Sequence, residues 1–287
     1  MLKSILKILA WLPLRVLHGL ATVWGALLSR IPNRARDTTL RNLRVCFPTK
    51  NEAEIVALAR LSLKNTACTA LEMSKAWMPA THKTLALVTQ TEGVDEFKQA
   101  LDSDEGVILL APHHGNWEIF GFYLCTDTPS TILYQPPKIP AFDRLLKQAR
   151  SRFGLKLAPT NSKGIAQLLR ALQQGELIGI LPDQVPNDEG GIYAPFFGEP
   201  ALTMTLVSKL LQRRKARVFC GFAERLAAGK GFKIIVKEAH AGIYDNDLQV
   251  SVTSLNQTVE QSVERAITQY QWEYRRFRRR PDGAKFY

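Results

Sequence analysis

In the stretch Ala111-Pro-His113-His114-Gly-Asn-Trp-Glu118, an imidazole stands five residues ahead of a carboxylate. Such a pair can run general-base chemistry. His113 would take the proton of an incoming hydroxyl, and Glu118 would hold the other ring nitrogen and stabilise the imidazolium that forms. Backbone N–H groups at the start of a helix would meet the negative charge developing on a carbonyl oxygen. The same spacing recurs at His240 and Asp245, so spacing does not single out His113. Context does: His240 lies in a polar loop, whereas His113 follows a buried apolar run. His114 is a second candidate, but the residue at its matching position is Ile119. The chain has no GxSxG elbow, Walker A loop, GxGxxG or HExxH. Cys46, Cys68, Cys125 and Cys220 form no CxxC pair, which speaks against zinc or a disulfide framework and for a reducing compartment.

The elements around this loop alternate. Residues 106–111 read as a strand buried on both faces, followed by a helix over 116–124. A short strand over 131–134 ends at Pro136 and Pro137, and a helix runs on to about Phe153. Residues 162–174 read as helix, 177–181 as another buried strand, and 252–268 as a final helix. Segments 217–224 and 232–237 flank a Gly-Lys-Gly turn and should pair as a hairpin. Upstream, Thr49-Lys-Asn-Glu52 fits a capping box that opens a helix toward Trp77; a strand over 85–91 and a helix over 94–101 follow. The reading is an α/β fold, a mixed sheet flanked by helices, with its active loops at the strands' carboxyl ends. Residues 31–287 would form this domain, with a helical lead-in to about residue 84, behind a membrane-associated helix over 1–30.

Charge is concentrated at the two ends. The 287 residues carry 38 basic and 26 acidic side chains, a net of +12. Residues 1–44 hold eight basic groups against Asp37, and 273–287 hold six against two acids. Such ends suit an anionic surface. A mean hydropathy of −0.11 excludes a bundle of membrane spans. The longest stretch without a charged residue, 16–29, has 14 residues against the roughly 20 that a spanning helix needs. Lys3, Lys7 and Arg15 punctuate an otherwise apolar segment that also holds Trp11 and Trp24, as expected for a helix lying in the interface of an anionic membrane.

Pro112-His-His-Gly-Asn-Trp-Glu118 resembles the His-x4-Asp/Glu motif of the lysophospholipid acyltransferase superfamily. More blocks follow in order: Asn42-Leu43 with Phe47-Pro48, Tyr134-Gln-Pro-Pro-Lys138, Arg150-Ser-Arg-Phe-Gly154, the segment 175–184 ending in Leu-Pro-Asp183-Gln184, Pro195-Phe-Phe-Gly198, and Tyr270-Gln-Trp272 with Arg275-Arg-Phe277. Together they resemble the lipid A biosynthesis secondary acyltransferases, the lauroyl and myristoyl transferases of Gram-negative bacteria. Two positions depart from that pattern: Gln135 replaces an Arg and Tyr274 replaces a His.

The resemblance implies a glycerol-3-phosphate-acyltransferase-like fold. It implies transfer of a fatty acyl chain from acyl carrier protein to a hydroxyl of a lipid A precursor, at the cytoplasmic face of the inner membrane. His113 would be the base and Glu118 its orienting group, with direct attack on the thioester and neither metal nor cofactor. Arg150 and Arg152 would face phosphate, Lys138, Arg275 and Arg276 would join them in substrate binding, and Asp183 would order the active loop. Phe196 and Phe197, with Ile192 and Tyr193, would line an acyl groove, or else pack in the core; Glu199 is a rival acid. The expected partners are acyl carrier protein, a phosphorylated lipid acceptor and anionic inner-membrane lipid, not nucleic acid. The alternatives are the same chemistry on another lipid acceptor (glycolipid, aminolipid or lysophospholipid), a basic peripheral membrane or nucleic-acid binder, and a non-catalytic scaffold.

Overall fold

The computed structural model describes residues 2–287 apart from Asp104 and Lys138. Four helices come first: α1 (Leu2–Trp11), α2 (Leu14–Arg30), α3 (Arg34–Cys46) and α4 (Glu52–Trp77). The sheet and its helices follow as α5 (Thr81–Leu85), β1 (Val88–Glu92), α6 (Val94–Leu101), β2 (Gly106–Leu110), α7 (Trp117–Cys125), β3 (Ser130–Tyr134), α8 (Pro140–Arg152), β4 (Lys156–Pro159), α9 (Ser162–Gln173) and β5 (Leu177–Ile180). A hairpin, β6 (Gly191–Phe196) and β7 (Glu199–Met204), leads through α10 (Leu206–Leu211) to β8 (Ala216–Arg225), β9 (Phe232–Glu238) and α11 (Leu248–Arg265).

Among the described residues one seven-stranded sheet runs β1-β9-β8-β2-β5-β3-β4. The central strands β2 and β5 are apolar and buried along their length, as their lack of any polar side chain requires. β8 and β9 pair antiparallel as the expected hairpin; every other neighbouring pair is parallel. The mixed sheet is thus as the sequence reads. The capping box sits two residues further on than expected: Asn51 and Glu54 exchange the reciprocal bonds that open α4. Strand β4 and the β6–β7 hairpin were not read from the sequence, because β4 is short and both β6 and β7 hold a proline, which argues against a strand.

The expected N-terminal helix is broken. Leu12-Pro13 splits it into α1 and α2, which meet at 119°. No single helix among the described residues is long and apolar enough to cross a membrane. Leu6, Leu14, Leu17 and Ala21 are buried, and α2 lies so close on α4 that a Cβ at Gly25 would come within 2.4 Å of the Lys64 backbone. The other face is bare: Ile8, Trp11, Val23, Leu27 and Ile31 are all more than half exposed.

Candidate active site

The parallel pairing of β2 and β5 sets Leu110 opposite Ile180. The loops leaving their carboxyl ends therefore start side by side, and His113 and Asp183 each stand three residues beyond that pair. Asp183 Oδ1 accepts from His113 Nδ1 at 2.9 Å, and Oδ2 accepts from the backbone N–H of His113 at 2.9 Å. Burial alone would raise the Asp183 carboxyl; the His113 charge and these hydrogen bonds outweigh it and hold the group below the usual carboxylate range. A carboxylate on Nδ1 places the ring proton there and leaves Nε2 as an acceptor. Gln184 sets its side-chain amide 3.2 Å from Nε2.

His113 lines a cavity of about 760 Å³. Met73, Trp77, Phe142 and Leu146 make part of its wall apolar, while Glu118, Arg150, Gln184 and Glu273 supply polar groups. A hydroxyl acceptor and a long apolar chain can both be met in such a space.

Glu118 does not hold the histidine. Its Oε1 accepts from Arg150 at 2.6 Å and its Oε2 from the Trp77 indole at 3.1 Å. Gly115, at φ +57°, turns the chain between the two residues, and a Cβ there would strike the Ala223 carbonyl at 2.1 Å. Asn116 then caps α7 by accepting from the Ile119 N–H, and Glu118 in the first turn meets α4 and α8. The sequence missed that a carboxylate from the neighbouring strand's loop would reach the ring first.

The other expected site residues divide. Arg150 lies at the cavity, paired with Glu118 and set over the Tyr134 ring at 5.4 Å. Arg152 instead donates to the carbonyls of Trp77, Met78 and Pro79, closing the C-terminal end of α4. Lys138 lies outside the described residues. Phe196 and Phe197 pack with Trp272, Tyr270 and Phe277 rather than along the cavity, because the β6–β7 turn folds them inward. Tyr193 donates to the Arg280 carbonyl, and Ile192 borders a separate surface groove. Arg276 is buried on the Leu202 carbonyl and the Thr203 hydroxyl, Arg275 lies over the Tyr287 ring, and Glu199 pairs with Arg280. These groups hold the C-terminal segment in place.

The two rival histidines have structural roles. His114 is buried, stacked on Phe222 with ring centroids 3.6 Å apart, and its Nε2 meets the Ala266 carbonyl at 3.0 Å. Burial pushes it down to about 3, so it stays neutral. His240 caps a short turn by accepting from the Gly242 N–H, while Asp245 accepts from the Asp247 N–H. Those two do not pair.

Behind the loop lies a buried network that the sequence reading missed. Glu72 of α4 accepts from Arg225, from the Asn116 amide at 3.1 Å and from His18 Nε2 at 2.6 Å. Burial alone would raise Glu72, but the Arg225 charge and the bonds from His18 and Arg225 take it down to about 2. Thr69 ties Arg225 to the Gly115 carbonyl. A lone carboxylate on the apolar stretch of α4 was the available signal. On the other side, Gln271 N donates to the His113 carbonyl, and Tyr274 accepts from the Val185 N–H. Tyr274 thus props the loop carrying Asp183 and Gln184.

A family model described as bacterial lipid A biosynthesis acyltransferase matches residues 2–279. The chain belongs to that family. It is 24% identical to the lipid A biosynthesis lauroyltransferase of Escherichia coli K12 over 282 residues, covering 98% of this chain and 91% of the relative. It is 26% identical to the palmitoleoyltransferase of the same strain over 273 residues (95% and 88%), and 24% identical to its myristoyltransferase over 286 residues (96% and 88%). As a lipid A acyltransferase homologue it is an acyltransferase, and the cavity beside His113 is the candidate place for transfer.

Proposed function

We propose that the chain moves a fatty acyl group from the thioester of acyl carrier protein to a hydroxyl of a lipid A precursor, at the cytoplasmic face of the inner membrane. The observation that carries this reading is the Asp183–His113 pair on the wall of a large, partly apolar cavity. The acceptor oxygen gives its proton to His113 Nε2 and attacks the thioester carbonyl. The tetrahedral centre collapses, the C–S bond breaks, and the imidazolium returns the proton to the leaving thiolate. Asp183 stabilises the imidazolium in between. Glu118 and Arg150 pair in the wall, with Arg150 near enough to meet an anionic group of either substrate. The bare apolar face of α1 and α2, with the basic residues around it, rests on the lipid surface and brings the cavity to an amphiphilic acceptor.

A second acceptor class is favoured by a specific feature. Gln135 lines the cavity where the family pattern has Arg, and both Arg152 and Arg276 are bonded to protein groups. Fewer cations are left for phosphate, which suits a lipid acceptor with less phosphate than lipid A.

Mass spectrometry of total lipid from a deletion strain tests both readings. Lipid A should lose one ester-linked acyl group, restored by the wild-type chain and not by His113→Ala. Loss from a different lipid would establish the second acceptor class, and unchanged lipids would contradict both.

A further inference from the structure

We infer that the side-chain amide of Gln184 is the oxyanion donor of the transfer reaction, an inference that rests on the proposed attack at the thioester. The backbone N–H groups of the turn that carries the base, residues 113–116, are committed elsewhere. His113 N–H donates to Asp183, Gly115 N–H to the Gln269 carbonyl and Asn116 N–H to the Ala223 carbonyl, while His114 N–H turns back to Pro112. A side-chain donor stands close to the base instead. Gln184 Nε2 lies 3.2 Å from His113 Nε2, in the same cavity wall, and its other near neighbour is the Gln271 Oε1 at 3.5 Å.

The placement follows from the chain. Gln184 is the residue after Asp183, so the segment that orients the ring through Nδ1 also delivers an N–H donor to the opposite nitrogen. In the resting site the amide donates to the lone pair of Nε2. An acceptor hydroxyl that docks on Nε2 takes that place and releases the donor. The carbonyl it attacks must then lie at contact distance beyond the hydroxyl, about 3–3.5 Å away, on the side where the amide has been freed. As the new C–O bond forms, the carbonyl electron pair moves onto oxygen and the amide N–H meets it; when the C–S bond breaks, the charge leaves with sulfur and is quenched by the proton from His113. A donor that serves only the tetrahedral state lowers the barrier without tightening the ground state.

The test uses the full chain in vesicles with lauroyl-acyl carrier protein and a purified lipid A precursor, comparing wild type, Gln184→Ala, Gln184→Glu and His113→Ala. Loss of one such donor costs about 10²–10³ in kcat with KM little changed. Gln184→Glu, which keeps the shape but loses the N–H, should be no better than Gln184→Ala, and it serves alone if the alanine variant does not fold. A dodecyl phosphonate that mimics the tetrahedral centre should lose affinity in the Gln184 variants by the factor lost in kcat/KM. A dodecyl thioether of pantetheine, mimicking the ground state, should not. Folded Gln184 variants with kcat within twofold of wild type, or with equal losses for both mimics, would overturn the inference. A fully active His113→Ala would instead overturn the reading beneath it.

Discussion

Asp183 grips His113 at two points, its Oδ1 on the ring Nδ1 and its Oδ2 on the same residue's backbone N–H, both at 2.9 Å. The bond to the main chain fixes where the histidine stands, and the bond to the ring fixes how it is turned and which nitrogen carries the proton. Both come from one carboxylate because β2 and β5 run parallel in adjacent positions. The pairing therefore belongs to the sheet, while Glu118, nearer in sequence, serves the cavity wall.

Glu118 and Arg150 should behave as a buried pair. Removing Glu118 leaves a guanidinium beside an apolar wall, so Glu118→Ala should lower stability by about 3–5 kcal/mol, and Glu118→Gln by less because it still accepts from Arg150 and Trp77. If Glu118 held the catalytic ring instead, the acid limb of the pH–rate profile would shift in Glu118→Gln. The expected limb stays where it is in wild type, as read from kcat/KM against pH.

His114 gives the fold an acid sensitivity of its own. Its folded-state value lies near 3 because of burial, while the unfolded ring titrates near 6.5. Between those limits the unfolded chain binds one more proton, so stability falls as pH falls, by about 1.4 kcal/mol per pH unit well below 6.5. Chemical denaturation of wild type and His114→Gln should show the wild-type slope flattened in the variant between pH 6 and 5. That window lies above the range in which Glu72 adds its own loss. Parallel slopes would contradict the burial argument.

The exposed face of α1 and α2 should carry membrane binding. Trp11, Val23 and Leu27 are 89%, 64% and 52% exposed, so changing all three to Ser should leave the thermal melt within a few degrees of wild type. Binding to anionic vesicles should weaken by roughly a thousandfold, since each of the three side chains contributes on the order of 1.5 kcal/mol when buried in lipid. Deleting residues 1–30 is a different experiment. It strips His18 from Glu72 and uncovers α4, and aggregation is the expected result.

Legibility varied with how local each feature is. Strands β2 and β5 and the β8–β9 hairpin were readable because apolar runs and a Gly-Lys-Gly turn act within a few residues. His113 was readable from its place after a buried strand, and His240 could be set aside for the polar loop it lies in. The partner of His113 was not, because it is fixed by which strands lie side by side, and nothing local tells residue 113 that residue 183 is its neighbour. The tail arginines read as a basic cluster for an anionic substrate, yet Arg276 turns inward once the β6–β7 hairpin, itself unread, supplies the Leu202 carbonyl and the Thr203 hydroxyl.

The tail should accordingly split into two kinds of arginine. Arg276→Ala takes the side-chain donor from the buried Leu202 carbonyl, at a cost of about 1–3 kcal/mol, and should lower the melting temperature. Arg278 and Arg279 border a groove that shares Pro186 and Asn187 with the mouth of the large cavity. Their replacement by Ser should raise KM for an acidic donor and reduce its salt dependence, with kcat and the melt little altered. Equal destabilisation in both variants would contradict the division.

The most direct test of the account is the pH dependence of kcat/KM for acyl transfer by wild type and Asp183→Asn. The variant keeps the side chain's shape but loses its charge, so the imidazolium is less stabilised and the ring tautomer is no longer fixed. The predicted result is a folded enzyme slowed by roughly 10²–10⁴, with its acid limb moved to lower pH. A folded Asp183→Asn with the wild-type rate and an unmoved acid limb would contradict the claim that Asp183 and His113 act together as the base.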